Sequence, residues 1–181
     1  MIKKILIAFG VVILLVIGAL AVGIIVAPTE FAVEREVTIN KPRSEVFEYV
    51  RHIRNQNEWG PWFKREPTMH QEFRGTDGEP GFVVSWKGEV ESGVGEQEIK
   101  RVAEGERIET ELRFKEPFES VSESYIVTDA VGETQTKVTW GMKGSAPRPM
   151  NVLMLVINIE EAIGKDYEEG LASLKSILEG Q

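Results

Sequence analysis

Four tryptophans, two histidines and two carboxylates are the residues of this 181-residue chain whose type and position could do chemistry. Trp59 and Trp62 flank Gly60-Pro61, while Trp86 and Trp140 stand on the apolar sides of alternating segments. An indole buries a large apolar area and needs one partner for its N–H, so these rings either fill a core or line a hollow one. Phe63 and Phe114 extend the aromatic set, and Met142, Met150 and Met154 add flexible, polarisable surface suited to gap filling or to an adaptable pocket. Glu160 falls on the same helical line as Ile157 and Gly164. A carboxylate there must be paired, solvated or protonated; it could orient a ligand or act as an acid or base, or form an ion pair with an arginine at the domain's edge. Glu123 depends on strand register: it faces inward if Val121, Tyr125 and Val127 do, and outward if Ser120, Ser122 and Ser124 face inward.

Other chemistries lack their residues. His52 and His70 have no partner at metal-ligand spacing, and no zinc site is expected. The chain has no cysteine, which excludes a thiol nucleophile, a disulfide and a thiolate metal site. It has no Gly-x-Ser-x-Gly elbow, phosphate-cradling loop or dinucleotide fingerprint, and Gly93-Val94-Gly95 reads as a turn between strands. The formal net charge of −8 opposes binding to phosphate backbones, so no nucleic-acid partner is expected. No catalytic constellation and no cofactor motif emerges.

The elements that must position these residues begin with a span. Residues 5–27 are uncharged and almost wholly apolar, about 34 Å long as a helix at roughly 1.5 Å per residue, enough to cross a bilayer. A cleaved signal peptide is the competitor, with Ala19-Leu20-Ala21 as a possible cleavage site. The apolar run continues through Ile24-Ile25-Val26, which suits an uncut anchor better. Lys3 and Lys4 precede it, and the positive-inside rule then leaves the N-terminus in the cytoplasm and the following domain outside the cytoplasmic membrane. Residues 1–28 are thus expected to be a single-pass anchor and residues 29–181 one soluble domain.

Beyond the span, Phe31, Val33, Val37 and Ile39 alternate as in a strand, and Pro42 opens a helical stripe of Val46, Phe47, Val50 and Ile53 that should end near Glu58. From Met69 to Met142 about six short alternating segments are separated by turn signals, as in an antiparallel meander. From about Asn151 to Leu178 the period is helical, with Leu153, Ile157, Glu160, Gly164, Tyr167, Leu171, Leu174 and Leu178 on one face. The fold class is α+β: a curved antiparallel sheet of about seven strands wrapped around one long C-terminal helix, preceded by a transmembrane helix. A bent sheet closed by a single helix leaves a space between them.

The strand over residues 31–39, the helix start at Lys41-Pro42 with Val46-Phe47, Trp59-Gly60-Pro61-Trp62, the strand from Phe82 to Ser85-Trp86, residues 136–140, and residues 164–171 through Leu174-Lys175 together resemble the bacterial polyketide cyclase/dehydrase type of the SRPBCC (START/Bet v 1-like) superfamily. The resemblance covers residues 31–179 and implies a helix-grip fold with a hydrophobic cavity. Its members include lipid carriers, hormone receptors and aromatase/cyclases. The expected function is a membrane-anchored binding module for a hydrophobic small molecule or lipid. The ligand-binding candidates are Trp59, Trp62, Phe63, Trp86, Phe114, Trp140, Met142, Met154, Ile157 and Glu160. A cyclase/dehydrase-like or hydrolytic enzyme and a pocketless structural or interaction module are the alternatives.

Overall fold

Alternation along the chain becomes one curved antiparallel sheet in the structure, a computed structural model that describes residues 2–90 and 92–180. The outermost residues of the two expected spans, Met1 and Gln181, lie outside the described residues. The elements run α1 (Ile2–Val26), β1 (Glu30–Ile39), α2 (Arg43–Arg51), α3 (Gln56–Trp59), α4 (Pro61–Arg65), β2 (His70–Arg74), β3 (Val83–Lys87), β4 (Val94–Ala103), β5 (Arg107–Glu116), β6 (Ser120–Ala130), β7 (Thr136–Ser145) and α5 (Ile159–Gly180). Strand order is β1-β7-β6-β5-β4-β3-β2, so the meander closes back onto the first strand through β7.

The sheet's inner face follows the period of two. Opposite Val33, Arg35 and Val37 of β1 lie Met142, Trp140 and Val138 of β7. Opposite Met142 and Trp140 lie Ser124 and Ile126 of β6. That register settles β6: Ser122, Ser124, Ile126 and Thr128 are buried on the inner side, and Glu123 is exposed on the outer one. Tyr125, also outward, is buried by its own contacts. Its ring lies against Gly141, its hydroxyl donates to Glu34, and the Arg107 guanidinium sits 4.1 Å from its ring centroid. Burial and the Glu34 hydrogen bond raise the Tyr125 hydroxyl pKa to about 12.

α5 crosses the inner face along β1, burying Gly164, Tyr167, Leu171, Leu174 and Leu178 at intervals of three and four. Polar contacts fasten it to that strand. Arg35 Nε donates to Glu168 at 2.5 Å, Lys175 Nζ to the Thr38 carbonyl at 2.6 Å, and the Asn40 amide to Glu179 at 2.7 Å. Gly164 faces the Arg35 guanidinium, whose Nη2 a Cβ there would meet at 2.1 Å. Beneath the other end of α5, the core joins Val46, Phe47 and Val50 of α2 to Ile39, Ile99, Ile108 and Val138 of the sheet.

Three sequence expectations are corrected. The long helix begins at Ile159 and not near Asn151, because the Asn158 side chain accepts a hydrogen bond from the Glu161 amide at 3.0 Å and caps a new helix. Residues 150–155 instead form a 3-10 turn, and Leu153, Ile157 and Glu160 are exposed and off the buried face of α5. The helical region after β1 does not stop at Glu58: α3 runs through Trp59, Gly60 breaks the path, and α4 starts at Pro61, which needs no N–H at a helix's first position. Of Gly93-Val94-Gly95, only Gly93 is in the turn; Val94 and Gly95 open β4.

α1 carries 24 residues, Lys3–Val26, of high mean hydropathy, largely exposed except at Gly23 near its end, and spans about 36 Å at 1.5 Å per residue. By length and composition it can cross a membrane, as an anchor or as a signal sequence. Its last turn is held by the domain. Asn151 Nδ2 donates to the Ile24 and Ala27 carbonyls at 2.9 and 3.0 Å, and Arg148 donates to those of Ile24 and Ile25 at 3.1 and 3.3 Å. These bonds satisfy carbonyls that a helix end otherwise leaves unpaired.

Candidate functional site

The inner face is not filled throughout. A cavity of about 240 Å³ lies between the sheet and the first half of α5. Five successive strands contribute to its wall: Trp140 and Met142 from β7, Ser124 from β6, Leu112 and Phe114 from β5, Gln97 from β4 and Trp86 from β3. Ile163, Asp166 and Tyr167 of α5 face them, with Gln56 of α3, Trp62 and Phe63 of α4, and Met69 and Ser92 from loops.

One end of the wall is an aromatic cluster. Trp140 stacks on Tyr167 with ring centroids 3.9 Å apart and planes 3° apart. Trp59 and Trp62 meet Trp140 edge-on at 4.8 and 5.6 Å. The two edge-on contacts suit the charge distribution of aromatic rings. The cluster forms because Gly170 lets α5 approach: a Cβ there would lie 2.8 Å from Trp140 Cζ3 and 3.3 Å from Pro61 Cδ. At the other end Trp86 meets Phe114 edge-on at 5.7 Å and donates its indole N–H to the Ser92 carbonyl at 3.0 Å. Gly95, directly across from Trp86, makes room for that ring, which a Cβ would meet at 2.4 Å.

The loop between β3 and β4 covers this second end and is organised by a buried carboxylate. Glu66 Oε1 accepts hydrogen bonds from the Glu89 amide and, at 2.9 Å, from the Val90 amide, and Oε2 accepts one from the Ser92 amide at 3.1 Å. Gly88 passes so close that a Cβ would contact both oxygens. The Val90 amide, with the Ser92 side chain and the Glu89 and Ser92 amides, stabilises the charged form and lowers the Glu66 pKa to about 2, against the opposing effect of burial.

Three polar groups of the wall, Gln97, Ser124 and Asp166, are committed to partners. Gln97 Nε2 donates to Thr110 Oγ1 at 3.1 Å, and the Ser124 hydroxyl to the Gly141 carbonyl at 3.0 Å. Asp166, the one carboxylate of the wall among the described residues, is bound by Arg65. Burial pushes the Tyr167 hydroxyl above the usual phenol range, so it stays neutral. The wall can therefore exclude water and hold an apolar body, with a few fixed polar atoms to orient it.

Of the residues singled out from sequence, Trp62, Phe63, Trp86, Phe114, Trp140 and Met142 come together in the wall. Trp59 does not reach it; it is fully buried behind Trp140. Met154 and Ile157 lie in the segment before α5, and Glu160 is exposed on its first turn, so these three stand apart from the cavity. Glu123, on the outer face, does not line it either. Sequence reasoning missed Gln56, Met69, Ser92, Gln97, Leu112, Ser124, Ile163, Asp166 and Tyr167 as wall residues. Leu112 and Tyr167 already stood on apolar lines of their elements, and a signal for Ser124 existed in the serine alternation of β6. His52 and His70 are engaged locally, His52 near Glu48 at 3.3 Å and Asp77 at 3.6 Å, and His70 near Glu72 at 3.6 Å. No cluster of three or more metal-ligating side chains occurs among the described residues.

Solved structures share this architecture at low identity. The aromatase/cyclase ZhuI from Streptomyces sp. R1128 matches with a TM-score of 0.59 at 13% identity, over 83% of this chain and 94% of its own. Truncated norcoclaurine synthase from Thalictrum flavum matches at 0.61 and 11%, over 84% and 96%. Protein Mll3558 from Rhizobium loti matches at 0.57 and 16%, over 80% and 96%. These likenesses establish the Bet v 1-like helix-grip fold. No curated protein matches the sequence. Residues 30–179 match the family described as polyketide cyclase / dehydrase and lipid transport, a stretch that takes in every strand, the whole cavity wall and nearly all of α5. The chain belongs to that polyketide cyclase / dehydrase and lipid transport family.

Proposed function

We propose that the chain is a membrane-anchored binding module for a hydrophobic small molecule or lipid. Residues 1–28 form the anchor, and residues 29–181 the binding domain on the outer side of the cytoplasmic membrane. The observation that carries this is the cavity, whose wall is mainly aromatic and aliphatic and whose Gln97 and Ser124 side chains are bonded to neighbours outside the wall, Thr110 and the Gly141 carbonyl. Its volume is below the roughly 300–1,000 Å³ of sites for drug-sized ligands. A single acyl chain or a compact ring system therefore suits it better than a whole two-chain lipid.

A cyclase, dehydrase or hydrolase would need an acid or base beside its substrate. Asp166 is in the wall but bound by Arg65, and Glu123 and Glu160 are elsewhere, so binding is the reading that the wall favours. The test is a titration of the delipidated full-length protein in detergent with a saturated fatty acid and with a fused-ring aromatic. Three wall residues are tryptophans, so saturable quenching of indole emission is expected. Emission unmoved by both ligand types removes the proposal.

A further inference from the structure

The segment just before α5 exposes apolar side chains that nothing in the domain covers. Leu153, Leu155, Val156 and Ile157 are 42, 53, 86 and 50% exposed, and together with Met150 they form one short stretch. Soluble surfaces carry isolated apolar residues, but a contiguous run marks a contact. This run is continuous with the apolar surface of α1. The methyl groups of Val152 and Leu155 approach Gly23, where a Cβ would meet them at 3.1 and 3.6 Å. Gly23 lies about one turn inside the end of α1, its carbonyl accepting the Ala27 amide at 2.9 Å, about 6 Å further along the axis.

We propose that residues 150–157 bed into the lipid bilayer beside α1 as a second, shallow membrane contact that fixes how the domain sits on the surface. The proposal rests on α1 being a membrane span. If it is, the level of Gly23 is at or below the edge of the hydrocarbon, and Leu155, packed there, lies in the same layer. The backbone at that depth needs internal partners. It has several: the amides of Asn151, Val152, Val156 and Ile157 bond to carbonyls at Pro147, Pro149 and Leu153, and Asn151 and Arg148 tie the segment to the end of α1. A net charge of −8 gives the chain no general attraction to anionic headgroups, so apolar burial and not charge must hold the segment.

The contact would orient the cavity. β1 begins at Glu30 opposite Ser145, and the same end of the sheet carries the β3–β4 loop, the β5–β6 hairpin, and exposed Val90 and Phe118. Trp86, Phe114, Met142 and Ile163 place the cavity toward this end. A guest leaving the outer leaflet would then have a short path to the wall.

The absence of cysteine makes a direct test simple. Val156→Cys, Ile13→Cys and Glu133→Cys are each labelled with nitrobenzoxadiazole in the full-length protein, reconstituted in phosphatidylcholine nanodiscs. All three sites are exposed, and Glu133 is in the β6–β7 turn at the far end of the sheet. Lipids with a spin label near the headgroup should quench the Val156 label several-fold more than the Glu133 label, with a blue shift that survives high salt. Lipids labelled deep in the acyl chain should quench the Ile13 label. A Val156 label as unquenched as the Glu133 label, beside a quenched Ile13 label, overturns the second contact and leaves the anchor standing. An unquenched Ile13 label overturns the anchor, and this proposal with it.

Discussion

The Trp140 indole lies parallel to the Tyr167 ring at a centroid distance of 3.9 Å, joining β7 to α5 at the wall of the cavity. This pair ends the packed region and begins the hollow one. On one side Trp59 is fully buried against it, and on the other Met142 and Ile163 face open volume. Trp140→Ala removes the shared ring, and a loss of about 3–5 kcal/mol is expected from urea unfolding followed by circular dichroism. Tyr167→Phe keeps the stack and should cost only about 1 kcal/mol.

Two glycines of α5 should respond differently to the same substitution. Alanine gains about 1 kcal/mol of helix propensity over glycine. At Gly170 the new methyl meets the Trp140 ring and Pro61, which cannot yield, and overpacking of about 1–3 kcal/mol outweighs the gain. At Gly164 it meets the guanidinium of Arg35, the far end of a flexible side chain whose ion pair with a largely exposed Glu168 is worth about 0–1 kcal/mol. Gly170→Ala should therefore lower the thermal midpoint, and Gly164→Ala should leave it nearly unchanged.

The β3–β4 loop should loosen in acid. The Glu66 pKa in the folded protein, about 2, is below its usual value of 4.5, so its contribution is complete above that usual value and is lost as pH falls from about 4.5 through about 2. Hydrogen exchange at the Val90 and Ser92 amides reports it. Protection should be constant above pH 5 and decline below it, and Glu66→Gln, which cannot ionise and has one acceptor oxygen in place of two, should abolish the decline and lower protection at neutral pH.

Filling the cavity should block binding without unfolding the domain. Leu112→Trp places an indole in the open volume of the cavity, and affinity for a fluorescent fatty acid should fall about tenfold or more. Glu123→Gln and Glu160→Gln, both at exposed positions outside the wall, should leave that affinity unchanged. A drop in either carboxamide variant would return those carboxylates to the site.

Much of the fold was legible because period and turn chemistry are local. Strands with clean alternation, such as Ile108, Thr110, Leu112 and Phe114, declare their inner face. The break before α5 was not read because Leu153 and Ile157 extend the helical period past Asn158, whose capping role competes with propagation; Asn158 followed by Glu161 was the available sign. β6 was ambiguous because both faces carry plausible inner residues, and pairing of Ser124 with Met142 decides it. The wall was half legible for a related reason. Aromatic residues announce themselves, but Gln97, Ser124 and Asp166 face inward only by register and helix phase, which depend on the assembled sheet. Trp59 shows the converse, a residue of the right type at the end of α3 that packing puts one layer behind the wall.

The most direct test of the central claim, that the cavity holds an apolar guest, is native mass spectrometry of the full-length protein extracted in mild detergent and released from its micelle. The wild type should retain an added mass in the range of a single-chain lipid or compact ring compound, and Leu112→Trp should lack it. A wild-type spectrum at the bare chain mass, unchanged after incubation with such ligands, would contradict the account.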